Sequence, residues 1–388
     1  MKIGILTHYF KSSNYGGNLQ AYALAEFLHS AGFDAEQICY DIFFKREKNV
    51  SLFSKLYRRA IYAPKYVINL FFKKVLLKKR FVAVQKMLEK RSFCINSFNA
   101  NMIRHSQFSY GYADISRAND IYDAFITGSD QVWHPNNFCP AYLLSFVKEG
   151  KKKISYAASI AKSDLTKEEI DCIVKSILDY TAVSVREEDS VSLLHRYSGQ
   201  NIASVVDPVF LLSPKQWESV AVPYPINKPY VFAYYLGNDV ESRLYAEQFA
   251  KEKGLKLVSI PYLNGSYRRC DWNFGDNQLF DIGPEHFISL IKNASCVFTD
   301  SFHGTAFSIL FEKKFLVFPR EKKSNAMSNR IESILNICRC PERFCNADDK
   351  MNISYFDQVI ENSAVEKTCL NEKISYSKAF LKDNLLNG

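Results

Sequence analysis

Short apolar runs in this chain repeatedly end in small groups of residues that can hold an anion or move a proton. Five such groups follow candidate strands: His8 to Gly17, Gly128-Ser-Asp-Gln131, Arg186-Glu-Glu-Asp189, Asp300-Ser-Phe-His-Gly304 and Arg320-Glu-Lys-Lys323. Ligands of parallel α/β sheets bind beyond the carboxyl ends of strands, so these positions are where chemistry is expected. Arg186 offers a planar fork suited to a carboxylate or phosphate, or else a salt bridge to Glu187, Glu188 or Asp189. His303 titrates near neutrality and can bind phosphate or pass a proton, or serve as a satisfied structural histidine. Asp130 can orient a hydroxyl or take its proton, or simply cap a turn.

The elements that must position these groups alternate in type. Lys2 to Leu6 reads as a buried strand, Ser12 to Gly17 as a polar turn, and Leu19 to His29 as a helix that stops at Gly32. Further strands are expected at Ala124–Thr127, Ile154–Ala158, Ala182–Val185 and Ile202–Val206, with helices over Lys167–Tyr180 and Glu188–His195. Three prolines between Val222 and Pro229 mark a linker. Beyond it a second unit has strands from Tyr230, Lys256, Cys296 and Phe315, and helices from about Val240, Pro284 and Thr305. The expectation is an α/β protein of two Rossmann-like domains, residues 1–222 and 230–345, enclosing a cleft. The tail, 346–388, would then be free to pack back on the first domain.

Taken in order, Asn14-Tyr-Gly-Gly-Asn-Leu-Gln-Ala-Tyr-Ala-Leu24, Gly128-Ser-Asp-Gln-Val-Trp133, Tyr156-Ala-Ala-Ser159, Ser184-Val-Arg-Glu-Glu-Asp-Ser190, Asp207-Pro-Val209 and Thr299-Asp-Ser-Phe-His-Gly304 resemble the polysaccharide pyruvyl transferase family. The resemblance implies a GT-B-like arrangement of the two domains. It also implies transfer of enolpyruvate from phosphoenolpyruvate to a sugar as a ketal, with no cofactor. In the family an arginine, a histidine and a later basic residue hold phosphoenolpyruvate. Those positions are Arg186, His303 and one of Arg320, Lys322, Lys323 or Arg330 here. The Gly128-Ser-Asp run departs from the glycine-rich stretch common in the family, and the later basic residue is shifted.

A ligand with adjacent carboxylate and phosphate groups calls for several cations and helix N-termini. Arg186 and His303 supply the first, with Arg320, Lys322 and Lys323 as a clamp and Asn329-Arg330 as a second anion site. Ser301 and Gly304 beside His303 let a ligand approach the backbone, and Ser129 flanks Asp130. Asn14, Gly17, Asn18 and Gln20 at the first helix start could hold acceptor hydroxyls or phosphate, or form no more than a tight turn. Trp133 could stack on a sugar ring or be core. Two other readings compete. In a nucleotide-sugar glycosyltransferase of the same architecture, a glutamate pair is often found in the second-domain helix. Thr305-Ala-Phe-Ser-Ile-Leu-Phe311 has no acid. A non-catalytic glycan-binding protein would not need Arg186 to meet His303.

Composition narrows the class. Hydrophobic residues at 47% and charged residues at 23% describe a globular chain with ample core. No secretory leader and no long uncharged apolar run is seen, so a cytosolic protein is expected. Ten scattered cysteines lack zinc-site spacing. The net charge of +9 is uneven, because Lys45 to Arg91 alone carries +13 and the remainder is slightly acidic. Basic and apolar clusters alternate there at helical spacing, as in a helical insertion with a solvated basic face or a segment docking on an anionic membrane. No nucleic-acid module accompanies the charge, so nucleic acid is not expected as a partner. An acceptor carried on polyprenyl diphosphate would give membrane docking a purpose at the inner face.

Overall fold

The computed structural model describes residues 1–41, 78–137, 139–162, 164–263, 267–320, 329–345 and 352–386. The first half runs β1 (Lys2–Leu6), α1 (Tyr15–Ser30), β2 (Asp34–Tyr40), α2 (Lys78–Met102), β3 (His105–Tyr110), β4 (Ala124–Thr127), β5 (Lys152–Ala158), α3 (Lys167–Ile177), β6 (Ala182–Val185), α4 (Glu188–Ser198), β7 (Ile202–Ser204) and α5 (Pro214–Val220). Its strands form a seven-stranded parallel sheet in the order β3-β2-β1-β4-β5-β6-β7. The second half runs β8 (Tyr230–Tyr234), α6 (Val240–Glu252), β9 (Lys256–Ser259), β10 (Asn277–Gln278), α7 (Pro284–Asn293), β11 (Cys296–Thr299), α8 (Phe302–Leu310), β12 (Phe315–Val317), α9 (Asn329–Ile337), α10 (Ile353–Asn362) and α11 (Thr368–Leu386). A five-stranded parallel sheet results, β10-β9-β8-β11-β12. Both halves are Rossmann-like, and together they make the GT-B-like pair.

Central strands β4, β8 and β11, and the edge strand β12, are buried along their whole length, which is why they read as continuous apolar runs rather than alternating ones. Register decides what emerges beyond them. Leu6 pairs with Thr127, so the turns after β1 and β4 leave the sheet side by side. Val185 pairs with Ser204 and lies level with Ala158, bringing Arg186 to the same edge. In the second sheet Thr299 pairs with Tyr234 and Val317, so the segment from Asp300 emerges between its neighbours' loops.

One hydrophobic cluster spans both halves. Tyr15 stacks on Phe287 with ring centroids 5.5 Å apart and donates its hydroxyl to Ile282 O at 3.1 Å, while Trp217 meets Phe307 edge-on at 4.9 Å. Burying side chains of this size stabilises by about 1.5–3 kcal/mol each, so the two halves are held against each other by core, not only by a hinge. The last helix crosses the boundary too. Val206 N donates to Ser377 Oγ at 3.0 Å, Lys152 Nζ to Leu385 O at 2.7 Å, and Leu381 and Leu385 are buried against the first half.

Most of the basic segment, residues 42–77 with Lys73 and Lys74, lies outside the described residues, as does the loop 321–328 with Lys322 and Lys323. Where α2 is described it does more than carry a solvated basic face. Arg91 is buried and donates through Nη1 to Pro261 O at 2.6 Å and through Nη2 to Leu279 O at 2.9 Å, tying the insertion to the second sheet.

Candidate active site

A cavity of about 380 Å³ opens between the halves. Asn14, Asp130, Gln131, Ser301, His303, Arg320 and Arg330 border it. Each arrives on the end of a regular element. Asn14 caps α1, its Oδ1 accepting from Gly16 N at 3.0 Å. Ser301 caps α8 by accepting from Gly304 N at 3.4 Å. The helix therefore begins at Phe302, not near Thr305 as the sequence suggested, and His303 belongs to its first turn. The Ser301 hydroxyl that nucleates the helix three residues earlier is the reason.

Asp130 occupies the left-handed region at φ +64°, a conformation aspartate tolerates better than most residues. The turn before it requires glycine, because a Cβ on Gly128 would stand 2.3 Å from Tyr156 O. Gly16 has a different reason to lack a side chain. A Cβ there would stand 2.0 Å from His303 Nδ1, so the imidazole of the second half rests directly on the first turn of α1.

Behind the cavity wall lies a knot of buried charge. Arg186 Nη1 donates to Asp207 Oδ2 at 2.6 Å, and Arg186 also approaches Asp130 Oδ1 and Glu187 Oε1, each at 3.9 Å. Asp207 further accepts from Ser129 Oγ at 3.2 Å and Val209 N at 3.1 Å, and stands 3.8 Å from His303 Nε2. Arg330 Nη1 is 4.0 Å from Asp130 Oδ1, and the Gln131 amide, oriented to satisfy both groups, accepts from Arg330 Nη1 and Nη2 at 3.2 and 3.0 Å. The Phe302 ring covers the Arg186 guanidinium at 4.6 Å. Even so, Arg186 Nε and Nη2, Arg330 Nε and His303 Nε2 are buried without a hydrogen-bond partner.

The electrostatics follow from this packing. Burial alone would push Asp130 up, but Arg186, His303, Arg330 and His8 outweigh it and hold the carboxyl below its ordinary range. Burial dominates at His303 and lowers it; Asp207 and Asp130 pull the other way, and Arg186 and Arg330 reinforce the fall. Arg330 is driven down to about 9 by burial and by the nearby Arg186 and Arg320. A fold that disfavours the charge on an arginine this strongly is suited to taking up an anion beside it.

The polysaccharide pyruvyl transferase family matches this chain over residues 14–322. The chain belongs to that family. No curated protein matches it significantly. Among solved structures, the UDP-GlcNAc 2-epimerase from Methanocaldococcus jannaschii is similar in fold, with a TM-score of 0.56 at 11% identity over 100% of both chains. A putative UDP-N-acetylglucosamine 2-epimerase from Listeria monocytogenes gives 0.52 at 10% identity over 100% of this chain and 97% of that one. At such identities the likeness concerns architecture alone.

In this pyruvyl transferase family member the residues singled out from sequence, apart from Lys322 and Lys323, divide into four groups. Asn14, Asp130, Ser301, His303, Arg320 and Arg330 border the cavity, and Arg186 stands just behind Asp130. Ser129, Gly17 and Gly304 are part of the frame: Ser129 holds Asp207, Gly17 packs on His8 O and Gly304 on Thr299. Asn18, Gln20 and Trp133 are corrections. The Asn18 amide donates to Ser12 O and Asn14 O, and that of Gln20 to Thr7 Oγ1 and Gly17 O, so both tie down the turn from within. Trp133 is fully buried with its Nε1 donating to Tyr142 O at 3.3 Å, and it has no face for a sugar. Asn329 points to a separate surface groove beside Glu187 and Glu332. Sequence reasoning gave no role to Asp207, Gly16, Gln131 or Arg91. Asp207 and Gly16 sit inside motifs that were noticed, but only contact across the two halves gives them a purpose.

Proposed function

We propose that this protein transfers enolpyruvate from phosphoenolpyruvate to two hydroxyls of a sugar in a polysaccharide or lipid-linked precursor, releasing phosphate and leaving a pyruvate ketal. The observation that carries this reading is the set of buried, unpartnered guanidinium N–H groups on Arg186 and Arg330, beside the equally unpartnered His303 Nε2, around an ionised Asp130. Buried donors without acceptors are rare and costly in a fold, and a ligand rich in anionic oxygens is what would satisfy them. Phosphoenolpyruvate brings a carboxylate and a phosphate on neighbouring atoms.

Each residue then has a role. Arg186 and Arg330, with Arg320 at the rim, neutralise the donor's charges. His303 gains a proton beside the phosphate and supplies it to the methylene carbon. The acceptor hydroxyl donates to Asp130, which takes its proton as the new C–O bond forms at the central carbon. Phosphate leaves, and the second hydroxyl closes the ketal. Of the two hydroxyl protons one replaces that delivered to the methyl group and the other departs on phosphate, so the reaction balances without a cofactor.

The test is incubation with phosphoenolpyruvate and galactose-containing or amino-sugar acceptors, following phosphate release and the ketal mass increment. Loss of turnover in His303→Ala and Arg186→Ala with the fold intact is expected; full activity in either removes that residue from the mechanism.

We also infer that the acceptor is presented on polyprenyl diphosphate at the cytosolic face of a membrane, reached through Lys45 to Arg91. The support is the +13 charge of that segment, of which Arg91 alone, among the described residues, is spent inside the fold. Among the described residues no helix is long and apolar enough to cross a membrane. Binding to vesicles containing anionic lipid should weaken with salt and fall when Lys73, Lys74, Lys78, Lys79 and Arg80 are neutralised. Binding that ignores this change discards the docking role.

A further inference from the structure

The cavity is larger than a small anion needs, and part of its wall is chemically unlike the cation cluster. Leu88, Arg91 and Ser92 come from α2, Tyr262 from the loop after β9, and Ser13 and Asn14 from the turn before α1. A flat aromatic ring among short polar side chains is what recognises a pyranose, with its apolar C–H face and its rim of hydroxyls. We propose that Tyr262 is the platform on which the acceptor sugar stacks, in a subsite walled by the insertion helix α2. Only the naming of that sugar as the acceptor rests on the pyruvyl-transfer reading.

Two observations build the site. The Tyr262 ring is fixed from outside: the Arg268 guanidinium lies 4.2 Å from its centroid, and Arg268 is itself held by Asp271 Oδ2 at 3.1 Å, Leu236 O at 2.6 Å and Tyr235 O at 3.2 Å. With one face covered by a cation that is itself held in place, a ring bordering the cavity keeps its other face for a ligand at little entropic cost. The second observation is independent of the ring. Arg91 uses Nη1 and Nη2 on Pro261 O and Leu279 O, so it anchors the residue immediately before Tyr262. Its Nε is buried and has no partner, in a side chain that borders the cavity. That N–H is a donor for a sugar hydroxyl, and the same residue sets the loop that carries the platform.

The arrangement also explains how a helix from one half contributes to specificity in the other. Trp133, the aromatic that sequence offered for stacking, lies in the core of the first half; Tyr262 lies at the rim of the second.

The experiment measures binding of methyl β-galactoside and methyl β-glucoside to the full chain by saturation-transfer NMR and titration calorimetry, without and with phosphoenolpyruvate. Phosphoenolpyruvate binding is measured separately. The expected result is that wild type binds at least one glycoside, Tyr262→Ala weakens it about tenfold or more, and Tyr262→Phe stays within about threefold because the ring and not the hydroxyl is needed. Ser92 is exposed, so Ser92→Trp narrows the α2 wall without touching the core, and it should abolish glycoside binding while leaving phosphoenolpyruvate binding in place. Glycoside binding unchanged in Tyr262→Ala or in Ser92→Trp overturns the subsite, as does a wild type that binds neither glycoside under either condition. Tyr262-dependent glycoside binding in a protein that ignores phosphoenolpyruvate would keep the subsite and remove the donor reading instead.

Discussion

Two knots of buried arginine stand within the second half and at its border, and they are built to different specifications. In the first, Arg243 donates through Nε and Nη2 to Asp271 Oδ1 at 3.2 and 2.7 Å, through Nη1 to Asp239 O at 2.6 Å and again through Nη2 to Gly237 O at 3.0 Å. Arg268 completes it from the other carboxylate oxygen. Every guanidinium nitrogen there has an acceptor. In the second, Arg186 and Arg330 are just as buried, yet three of their nitrogens have none. That cluster is not short of carboxylates, since Asp130, Asp207 and Glu187 are all near; it is short of contacts, because those carboxylates stand at 3.9–4.0 Å or serve other donors. A saturated knot braces the fold, and an unsaturated one is positioned for something else.

The sharpest way to break that contrast is to remove one arginine from each. Arg330→Met should lower kcat/KM for phosphoenolpyruvate by about 10²–10³-fold, the scale of losing one preorganised charge partner in a reacting site. Its folded-state value near 9 lies below the ordinary arginine range, so its charge opposes folding at neutral pH. The melting midpoint of that variant should therefore stay level or rise. Arg243→Met leaves Asp271 buried with only Arg268 and should cost about 3–5 kcal/mol of stability, with phosphoenolpyruvate affinity of the folded fraction unchanged. Equal destabilisation in the two variants would erase the distinction.

A smaller effect is expected from Gly16→Ala. Gly16 lies in the first turn of α1, where alanine has no helix-interior advantage to set against overpacking, so a cost of about 1–3 kcal/mol in stability is expected. The new methyl group would meet the buried His303 ring, its Nδ1 at 2.0 Å, and push it away. Activity should fall about tenfold or more, as small displacements of reacting groups do. Activity within twofold of wild type would mean that the imidazole position is not critical.

How far the sequence discloses this contrast depends on the range of the interactions involved. Parallel strands buried on both faces, such as Ala124–Thr127 and Cys296–Thr299, are short apolar runs that stand out locally, and polar residues after them are found by position alone. Helix starts are less visible: apolar spacing alone begins α8 near Thr305, because the Ser301 cap hydroxyl acts three residues ahead of that spacing. Strand β3, His105–Tyr110, alternates weakly at a sheet edge and carries no such run. Least visible is what depends on two distant segments at once. Asp207 looks like part of an Asp-Pro turn until Arg186 and His303 arrive beside it, and Arg91 looks like one more lysine-rich helix residue until Pro261 and Leu279 accept from it. Trp133 shows the converse. It stands three residues after Asp130 in sequence, but the turn sends the two to opposite sides of the sheet edge, one to the cavity and one to the core.

Proton linkage should separate the two knots more gently. His303 is lowered by burial in the free protein, so above about pH 7 it is neutral, and an incoming phosphate dianion favours its protonated form. Binding of phosphoenolpyruvate should therefore take up a proton near neutral pH, and its affinity should fall as pH rises above the lowered value of the free imidazole, by at most roughly tenfold per unit for a single linked group. Calorimetry in buffers of different ionisation enthalpy reads the uptake directly. His303→Asn should abolish it and Arg243→Met should not; proton uptake that survives in His303→Asn would assign it to another group.

The smallest effect belongs to Trp133→Phe, which tests whether nearness to the motif or membership of the cavity confers function. The indole Nε1 donates to Tyr142 O, but that oxygen also accepts from Thr127 Oγ1 at 2.7 Å, so losing the indole N–H strands no buried acceptor. The smaller ring leaves a modest void against Tyr180, whose ring it meets at 6.5 Å. Together these should cost about 1–2 kcal/mol of stability, read as a lowered denaturation midpoint. The KM values for donor and acceptor should stay within about twofold of wild type, because Asp130 is held by its own turn and by Arg186 and not by the indole. A rise in acceptor KM comparable to that of Tyr262→Ala would mean that strain in the core of the first half reaches the cavity, and the separation between bracing and reacting residues would then fail at the one place where they are adjacent in the chain.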